Sequence, residues 1–428
     1  MCYAAPMILS SPMKILVAAI LIIYSLFTAL DSAFGQTWTN TSAPYMIWFS
    51  VASSADGAKL VAVAFENTEG NPGSIFTSTN SGAIWTQTRA PSNIWVSVAS
   101  SADGTKLVAA PHTVPTPAPI YLSKDSGATW SSNNTPNAEW YSLASSANGT
   151  KLVAVGSVYA PYRGVVYTSA DSGSTWGSNN LPVVPYYWFS VASSADGNKL
   201  VVVSQYGQIC TSTNSGATWQ QAVNAPGNSN IWDSVASSAD GSKLVAVSQY
   251  QVPAYSGSIY TSTDSGMTWN SNNAPSLLWE SVASSADGTK LVAVGYSSLA
   301  GGVACISTNA GVTWTQASAG NNFGTVAMSA DGNRLFAING GGISGGPGTV
   351  YTAYFTPSPV LNINPLPTNL KLSWTVPSTN FVLQQNSDLT TTNWVTLTNT
   401  PVLDLTNLQD QVILSPTNSS GFFRLISQ

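Results

Sequence analysis

Charge is scarce in this chain of 428 residues: Asp, Glu, Lys and Arg together make up 7%, and the net charge is −5. That excludes a basic surface for nucleic acid or anionic lipid, since both need clustered Lys and Arg. Histidine is scarcer still. His112 stands alone in a proline-rich stretch at 111–119, so neither a multi-imidazole zinc site nor a triad is built from it, and it reads as a loop surface residue. Of three cysteines, Cys2 precedes an apolar run, which argues against a lipid-anchored cysteine. Cys210 and Cys305 each sit six residues before a glycine (Gly216, Gly311) in equivalent copies of a repeat. Equivalent positions that far apart in the fold cannot approach to disulfide distance, so both read as small buried apolar residues. No glycine loop with a following lysine is present to cradle phosphate, and 340–348 reads as a plain loop. No metal or cofactor is expected.

What the chain has in abundance is repetition. A phrase W-x-S-[VL]-A-S-S-A-[DN]-G-x-K-L-V begins at Trp48, Trp95, Trp140, Trp188, Trp232 and Trp279, at intervals of 47, 45, 48, 44 and 47 residues. A seventh copy starts at Phe323. Repeats of this length that carry four short strands are the mark of propeller blades. Each copy supplies a small alternating strand, a β-branched run, a third strand of the Ile-Tyr-Thr-Ser type and a fourth after a second tryptophan. Ala-Asp-Gly joins the first two as a tight turn in which Gly takes positive φ. No helical periodicity competes. The seventh copy lacks its second tryptophan, but Trp38 precedes Trp48 by 10 residues, as Trp85 precedes Trp95. The N-terminal strand is therefore expected to complete the last blade. The reading is an all-β, seven-bladed β-propeller over 36–355, closed by that strand and leaving no open sheet edges.

Met13-Lys14, an apolar run at 15–30 and Ala33-Phe34-Gly35 read as a secretory signal cleaved before Gln36, so 1–35 is assigned as signal peptide, with Met13 as an alternative start. The run is short for a membrane span. The expected location is secreted or on the exterior of the cell envelope, with no span left after cleavage. A Thr-Pro-Ser-Pro linker at 356–359 leads into 360–428, where five strand patterns (370–374, 381–385, 394–397, 411–414, 422–426) suggest a small β-sandwich resembling fibronectin-like tails.

The phrases around Asn80, Gly82 and Trp85; Asp125, Gly127 and Trp130; Asp171, Gly173 and Trp176; Asn214, Gly216 and Trp219; Asp264, Gly266 and Trp269; and Asn309, Gly311 and Trp314 resemble Asp-boxes, or BNR repeats. Six at matching spacing identify the chain with the sialidase-like Asp-box propeller superfamily, which includes sialidases, xyloglucan hydrolases, the sortilin luminal domain and photosystem II assembly factors. The resemblance implies that the box is a structural turn between the third and fourth strands. A sialidase also needs an arginine triad, and here Arg424 lies in the tail and Arg334 takes the place of a repeat lysine. Only Arg89 and Arg163 remain, and lysines do not replace a bidentate clamp. The resemblance is to a non-sialidase member.

Nine aspartates are committed to turns. Among the remaining acids, Asp233 and Glu280 each directly follow the opening tryptophan of adjacent copies, where others carry Phe49, Val96, Tyr141 and Phe189. Adjacent inner strands would bring the pair to a separation suited to an inverting glycosidase. The loops between second and third strands vary in length and sequence, which marks that end for recognition. Trp48, Trp95, Trp140, Tyr141, Trp188, Trp232 and Trp279 start the inner strands near it, either as an aromatic ring for a ligand or as packing between blades. The expectation is a binding or scaffolding module for a glycan or extracellular protein, with no catalytic constellation recognised. The alternative is a glycoside hydrolase using Asp233 and Glu280.

Overall fold

The computed structural model describes residues 38–427 apart from 113–117, 133–134, 136, 159–161, 184, 223–229, 252–256, 298–300, 320–321, 340–345, 356–360, 367–368, 376–380, 388–390, 392, 400, 405–408 and 415–421. The expected signal peptide, the 356–359 linker and most of the 340–348 stretch lie outside the described residues. The chain divides into two compact units, Phe34–Phe355 and a unit holding Thr356–Gln428.

Among the described residues the first unit forms seven four-stranded antiparallel sheets. Their inner strands are Ile47–Ser53, Trp95–Ser100, Glu139–Ser145, Trp188–Ser193, Asn230–Ser237, Leu278–Ser284 and Phe323–Met328. Three further strands follow outward in chain order in the first six sheets. In the seventh, Thr39–Asn40 supplies the outer strand, pairing Thr39 with Thr352 and Asn40 with Tyr351. Trp38 packs 4.7 Å from Phe323, ring centre to ring centre, and joins the same cluster as Tyr351.

The recurrent Ser-Ser-Ala-Asp-Gly explains how neighbouring sheets hold together. Ser54 Oγ donates to Asp56 Oδ1 (2.6 Å) and accepts from the Lys59 amide (2.9 Å), closing the hairpin. The alanine between them reaches the next sheet: the Ala55 amide donates to the Ala102 carbonyl, Ala102 to Ala147, Ala147 to Ala195, Ala195 to Ala239, Ala239 to Ala286, Ala286 to Ala330 and Ala330 back to Ala55, all at 2.7–2.8 Å. This circuit returns to its start. Gly104 takes φ +66°, and a Cβ there would lie 2.7 Å from the Lys59 side chain of the preceding sheet, so glycine is required by both backbone and packing. The serine two residues after the opening tryptophan also ties one sheet to the next. Ser97 Oγ accepts from the Leu143 amide (3.0 Å) and Ser190 Oγ from the Val235 amide (3.2 Å). Inner strands would otherwise present unpaired amides at their free edge.

The opening tryptophans are 0–1% exposed. Each lies in a cluster built from two neighbouring sheets, as Trp232 does with Val201, Val203 and Ile209 of the preceding one. The ligand-ring role for Trp48, Trp95, Trp140, Trp188, Trp232 and Trp279 is therefore corrected: they are frame, because apolar surface of this size is worth more between sheets than against water.

The second unit has two sheets. One orders Asn362–Pro365, Leu370–Thr375, Gln409–Leu414 and Val402–Asp404; the other orders Val395–Thr396, Phe381–Asn386 and Phe422–Ser427. They share a core of Leu361, Leu372, Trp374, Leu383 and Val412. Sequence patterning missed the two edge strands 362–365 and 402–404, which are largely polar or exposed.

Candidate functional site

Antiparallel order sends the chain reversals of each sheet to two ends. The Ala-Asp-Gly hairpins and the box turns share one, since the Ser81 amide donates to Ala58 O and the Ser126 amide to Thr105 O (both 2.8 Å). Within a box, Asn80 Oδ1 accepts from the Ile84 amide (2.8 Å), and Ser78 Oγ from the Gly82 amide (3.0 Å). Trp130, Trp176 and Trp269 donate their indole N–H to the carbonyls of Gly127, Gly173 and Gly266 (3.1 Å each). Positive φ is taken by both the glycine and the residue before it, at Ser81, Ser126, Ser172, Ser215, Ser265 and Ala310 (φ 57–60°). Asp125, Asp171 and Asp264, with Asn80, Asn214 and Asn309 in the other copies, hold that conformation through side-chain bonds to the turn.

This end also carries most of the propeller's charge, in satisfied form. Lys106 donates to Asn148 O (2.9 Å), Lys243 to Asp287 O (2.8 Å) and Lys290 to Asp331 O (3.0 Å), each in the next sheet. Bonds from Ser101 and Thr105 hold the Asp103 carboxyl down at about 2. Thr175 and Ser169 do the same for Asp171, and Ser285 and Thr289 for Asp287, both at about 2.

The opposite end is built from the loops between second and third strands and the connectors to the next sheet. They brace each other: Gly73 bridges Asn93, Ala118 bridges Ala138, and Gly257 bridges Leu277. Here the residue after each opening aromatic is bulged out of register, between Trp48 and Ser50 in the first sheet and between Phe323 and Thr325 in the seventh. The bulge adds an unpaired residue to each inner strand. Phe49, Val96, Tyr141, Phe189, Asp233, Glu280 and Gly324 thus hold equivalent positions round the ring of inner strands.

One side of that ring is aromatic. Tyr141 lies 5.6 Å from Phe189, 5.7 Å from Tyr187 and 5.7 Å from His112. Tyr187 continues to Tyr162 (5.6 Å) and stacks on Tyr206 (6.2 Å, 16° between planes), and Tyr206 meets Tyr186 at 5.5 Å. Tyr162, Tyr186 and Tyr206 are exposed. Beneath them the buried Glu139 carboxylate meets His112 Nε2 at 3.3 Å and accepts from Ser157 Oγ at 3.0 Å. Burial, reinforced by the Glu139 charge, pushes the Tyr141 phenol well above its ordinary value, so it stays protonated. His112 is thus a partner of a buried acid, not the plain surface residue expected.

The other side of the ring is acidic. Burial raises Asp233 well above the carboxylate range, with the Glu280 charge adding to it. Burial alone raises Glu280 to about 7. No hydrogen bond or ion pair reaches either carboxyl among the described residues. Both keep some exposed surface. Sequence reasoning singled out this pair and Tyr141 by their repeat positions; it counted Glu139 only among the uncommitted acids and did not pick out Tyr162, Tyr186, Tyr187 or Tyr206. A signal existed: the residue before the opening tryptophan is Ile47, Ile94, Ile231 or Leu278 in four copies but Glu139 and Tyr187 in two.

No protein-family model matches the chain, and no curated protein does. Solved structures do. It is similar to YCF48 bound to D1 peptide, at 14% identity and TM-score 0.52, covering 77% of this chain and 99% of that one. It is also similar to a GH74 xyloglucanase from Xanthomonas campestris (13%, 0.53, 79% of this chain and 59% of that one). A third is the Cps50 (Swd1) propeller domain from Myceliophteria thermophila (14%, 0.52, 74% and 99%). Identities this low carry the fold and nothing finer: the first unit is a β-propeller.

Proposed function

We propose that the chain is a secreted binding or scaffolding module: a seven-bladed, strand-closed member of the sialidase-like Asp-box superfamily with a fibronectin-like β-sandwich at 360–428. It acts at the cell exterior on a protein or glycan through the loop end of the propeller. One observation carries this reading. The hairpin end uses its charged and polar groups on its own turns, whereas the loop end exposes Tyr162, Tyr186 and Tyr206 and carries, on the other side of the ring, two carboxyls that no hydrogen bond or ion pair reaches among the described residues. Surfaces that keep aromatic area in water on a rigid frame are where recognition concentrates. The neighbour solved with a peptide agrees with a protein ligand, and the xyloglucanase neighbour keeps a glycan in view. Glycan and peptide arrays probed with residues 36–428 test it. Binding is expected to fall with Tyr206→Ala and to survive Lys124→Ala at the box end; the reverse pattern rejects the loop end.

A second reading has its own support. Two carboxyls of raised pKa in adjacent sheets resemble an acid/base pair, with Asp233 holding a proton while Glu280 near 7 shares the ionised form. Hydrolysis of an array hit, abolished by Asp233→Asn, would establish it; intact oligosaccharide after long incubation removes it.

A further inference from the structure

We propose that the groove lined by Tyr162, Pro185, Tyr186, Tyr206 and Gln208 binds a proline-rich peptide in the polyproline II conformation. This rests on the loop-end reading and narrows it to one site and one ligand class. The groove holds about 440 Å³. Its origin is a notch in the propeller rim. From the start of the second strand to the end of the third, the fourth sheet spans Leu200 to Ser212, 13 residues, whereas its neighbours span 18 (Leu152 to Ser169) and 19 (Leu244 to Ser262). Two residues fewer on a strand lower the rim by about 7 Å.

The walls are firm. The Gly164 amide donates to Pro185 O at 2.7 Å, pinning the start of the strand that follows Tyr162 to the connector. A Cβ at Gly164 would come within 2.8 Å of the Trp188 ring. On the floor, the buried Ser204 hydroxyl accepts the amides of Tyr206 (3.2 Å) and Gln208 (3.1 Å) and donates to Gln208 Oε1 (2.5 Å). The carboxamide oxygen is therefore engaged, and the NH2 group is what Gln208 has left to offer.

That inventory selects the ligand. Among the described residues the lining presents tyrosine ring faces and an amide donor, with no carboxylate and no charge. A polyproline II strand presents pyrrolidine faces and outward carbonyls, and its prolines have no N–H that needs an acceptor. Pyrrolidine faces lie flat on neighbouring tyrosine rings while the Gln208 amide donates to an outward carbonyl, the pairing used by aromatic grooves that take polyproline II, and a saccharide is the competing occupant that the probes below separate. Arg163, exposed and one residue past Tyr162, sits at the rim. It favours an acidic residue flanking the prolines over a basic one.

Fluorescence anisotropy with labelled decaproline, flanked by two Asp or two Lys, tests this on residues 36–428. Saturable binding is expected, weakened at least about tenfold by Tyr206→Ala, a loss typical of an aromatic anchor, and several-fold by Gln208→Leu. The Asp-flanked probe should bind more tightly, with the gap closing at about 0.5 M salt. Tyr206 is exposed and Gln208 half-buried, and an unchanged melting temperature confirms that each variant keeps the fold. No saturable binding, or binding indifferent to Tyr206→Ala, overturns the site. Cellohexaose binding that Tyr206→Ala abolishes overturns the peptide class while leaving the loop end as the binding face. Decaproline binding lost only with Lys124→Ala overturns both.

Discussion

At the hairpin end of the propeller, seven copies of one turn repeat the same bonds with little variation; at the loop end, neighbouring sheets share a backbone frame and almost no side-chain chemistry. Ser54–Asp56, Ser101–Asp103, Ser194–Asp196, Ser238–Asp240, Ser285–Asp287 and Ser329–Asp331 are one motif at 2.5–2.6 Å. Across the molecule, the bulged positions hold two phenylalanines, a valine, a tyrosine, two acids and a glycine. Repetition marks the groups that hold the ring, and departure from it marks those left over for a ligand. The contrast is sharpest where stability and binding are measured on the same variant.

The largest expected effect tests that separation. Trp232 is fully buried between two sheets and packs against Tyr260 at 5.3 Å. Trp232→Ala should cost about 3–5 kcal/mol in urea unfolding, the usual penalty for emptying an aromatic site in a core. Tyr206→Ala, at an exposed tyrosine, should stay within about 0.5 kcal/mol while removing binding. Equal stability losses would erase the distinction between frame and face.

The two ends should also answer to pH with opposite sign. Asp103, Asp171 and Asp287 are held at about 2 in the folded chain, below the ordinary 3.8. The unfolded chain binds protons first, so their stabilisation is complete above about pH 4 and is lost as pH falls through 2. Glu280 runs the other way. Its folded value of about 7 exceeds the ordinary 4.5, so the folded state holds the extra proton and stability declines as pH rises from 4.5 through 7. The shift corresponds to on the order of 3 kcal/mol. Denaturant midpoints between pH 5 and 8 should therefore fall in the parent and fall less steeply in Glu280→Gln, where buried Asp233 still contributes. An unchanged slope would mean that Glu280 is well solvated and the acidic wall is not there.

These contrasts also explain what could be read in advance. Strand order, the hairpin and box turns and the docking of Trp38 on the last sheet were legible because each is written several times, and a repeated phrase reports a repeated physical need. Asp233 and Glu280 stood out as polar residues in an apolar column. The tyrosine belt was not legible as a unit. Tyr162, Tyr187 and Tyr206 come from a loop, a connector and a neighbouring turn, and no local pattern predicts that their rings meet. The opening tryptophans were ambiguous for a different reason: a residue at the start of an inner strand faces the loop end or the neighbouring sheet depending on the bulge beside it, and sequence periodicity does not announce bulges.

The smallest effect concerns a single methyl group. In five boxes the residue at φ 57–60° is serine, and in the sixth it is Ala310. Left-handed backbone costs a residue with a Cβ about 1–2 kcal/mol. Where serine stands, neighbouring cations make use of its hydroxyl: Lys106 donates to Ser172 Oγ at 3.3 Å, and Lys199 to Ser265 Oγ at 3.2 Å. Alanine gains no such bond, so its strain is uncompensated by the side chain. Ala310→Gly relieves the strain but gives the unfolded chain more freedom, worth about 0.5–1 kcal/mol against folding. The difference should leave the variant more stable by about 0.5 kcal/mol, read as a small rise in melting temperature. Ser172→Gly should gain less or lose, because it also gives up the lysine contact. If glycine helped equally at both positions, the hydroxyl would have no share in binding one sheet to the next, and the serines of the box would be there for their backbone preference alone.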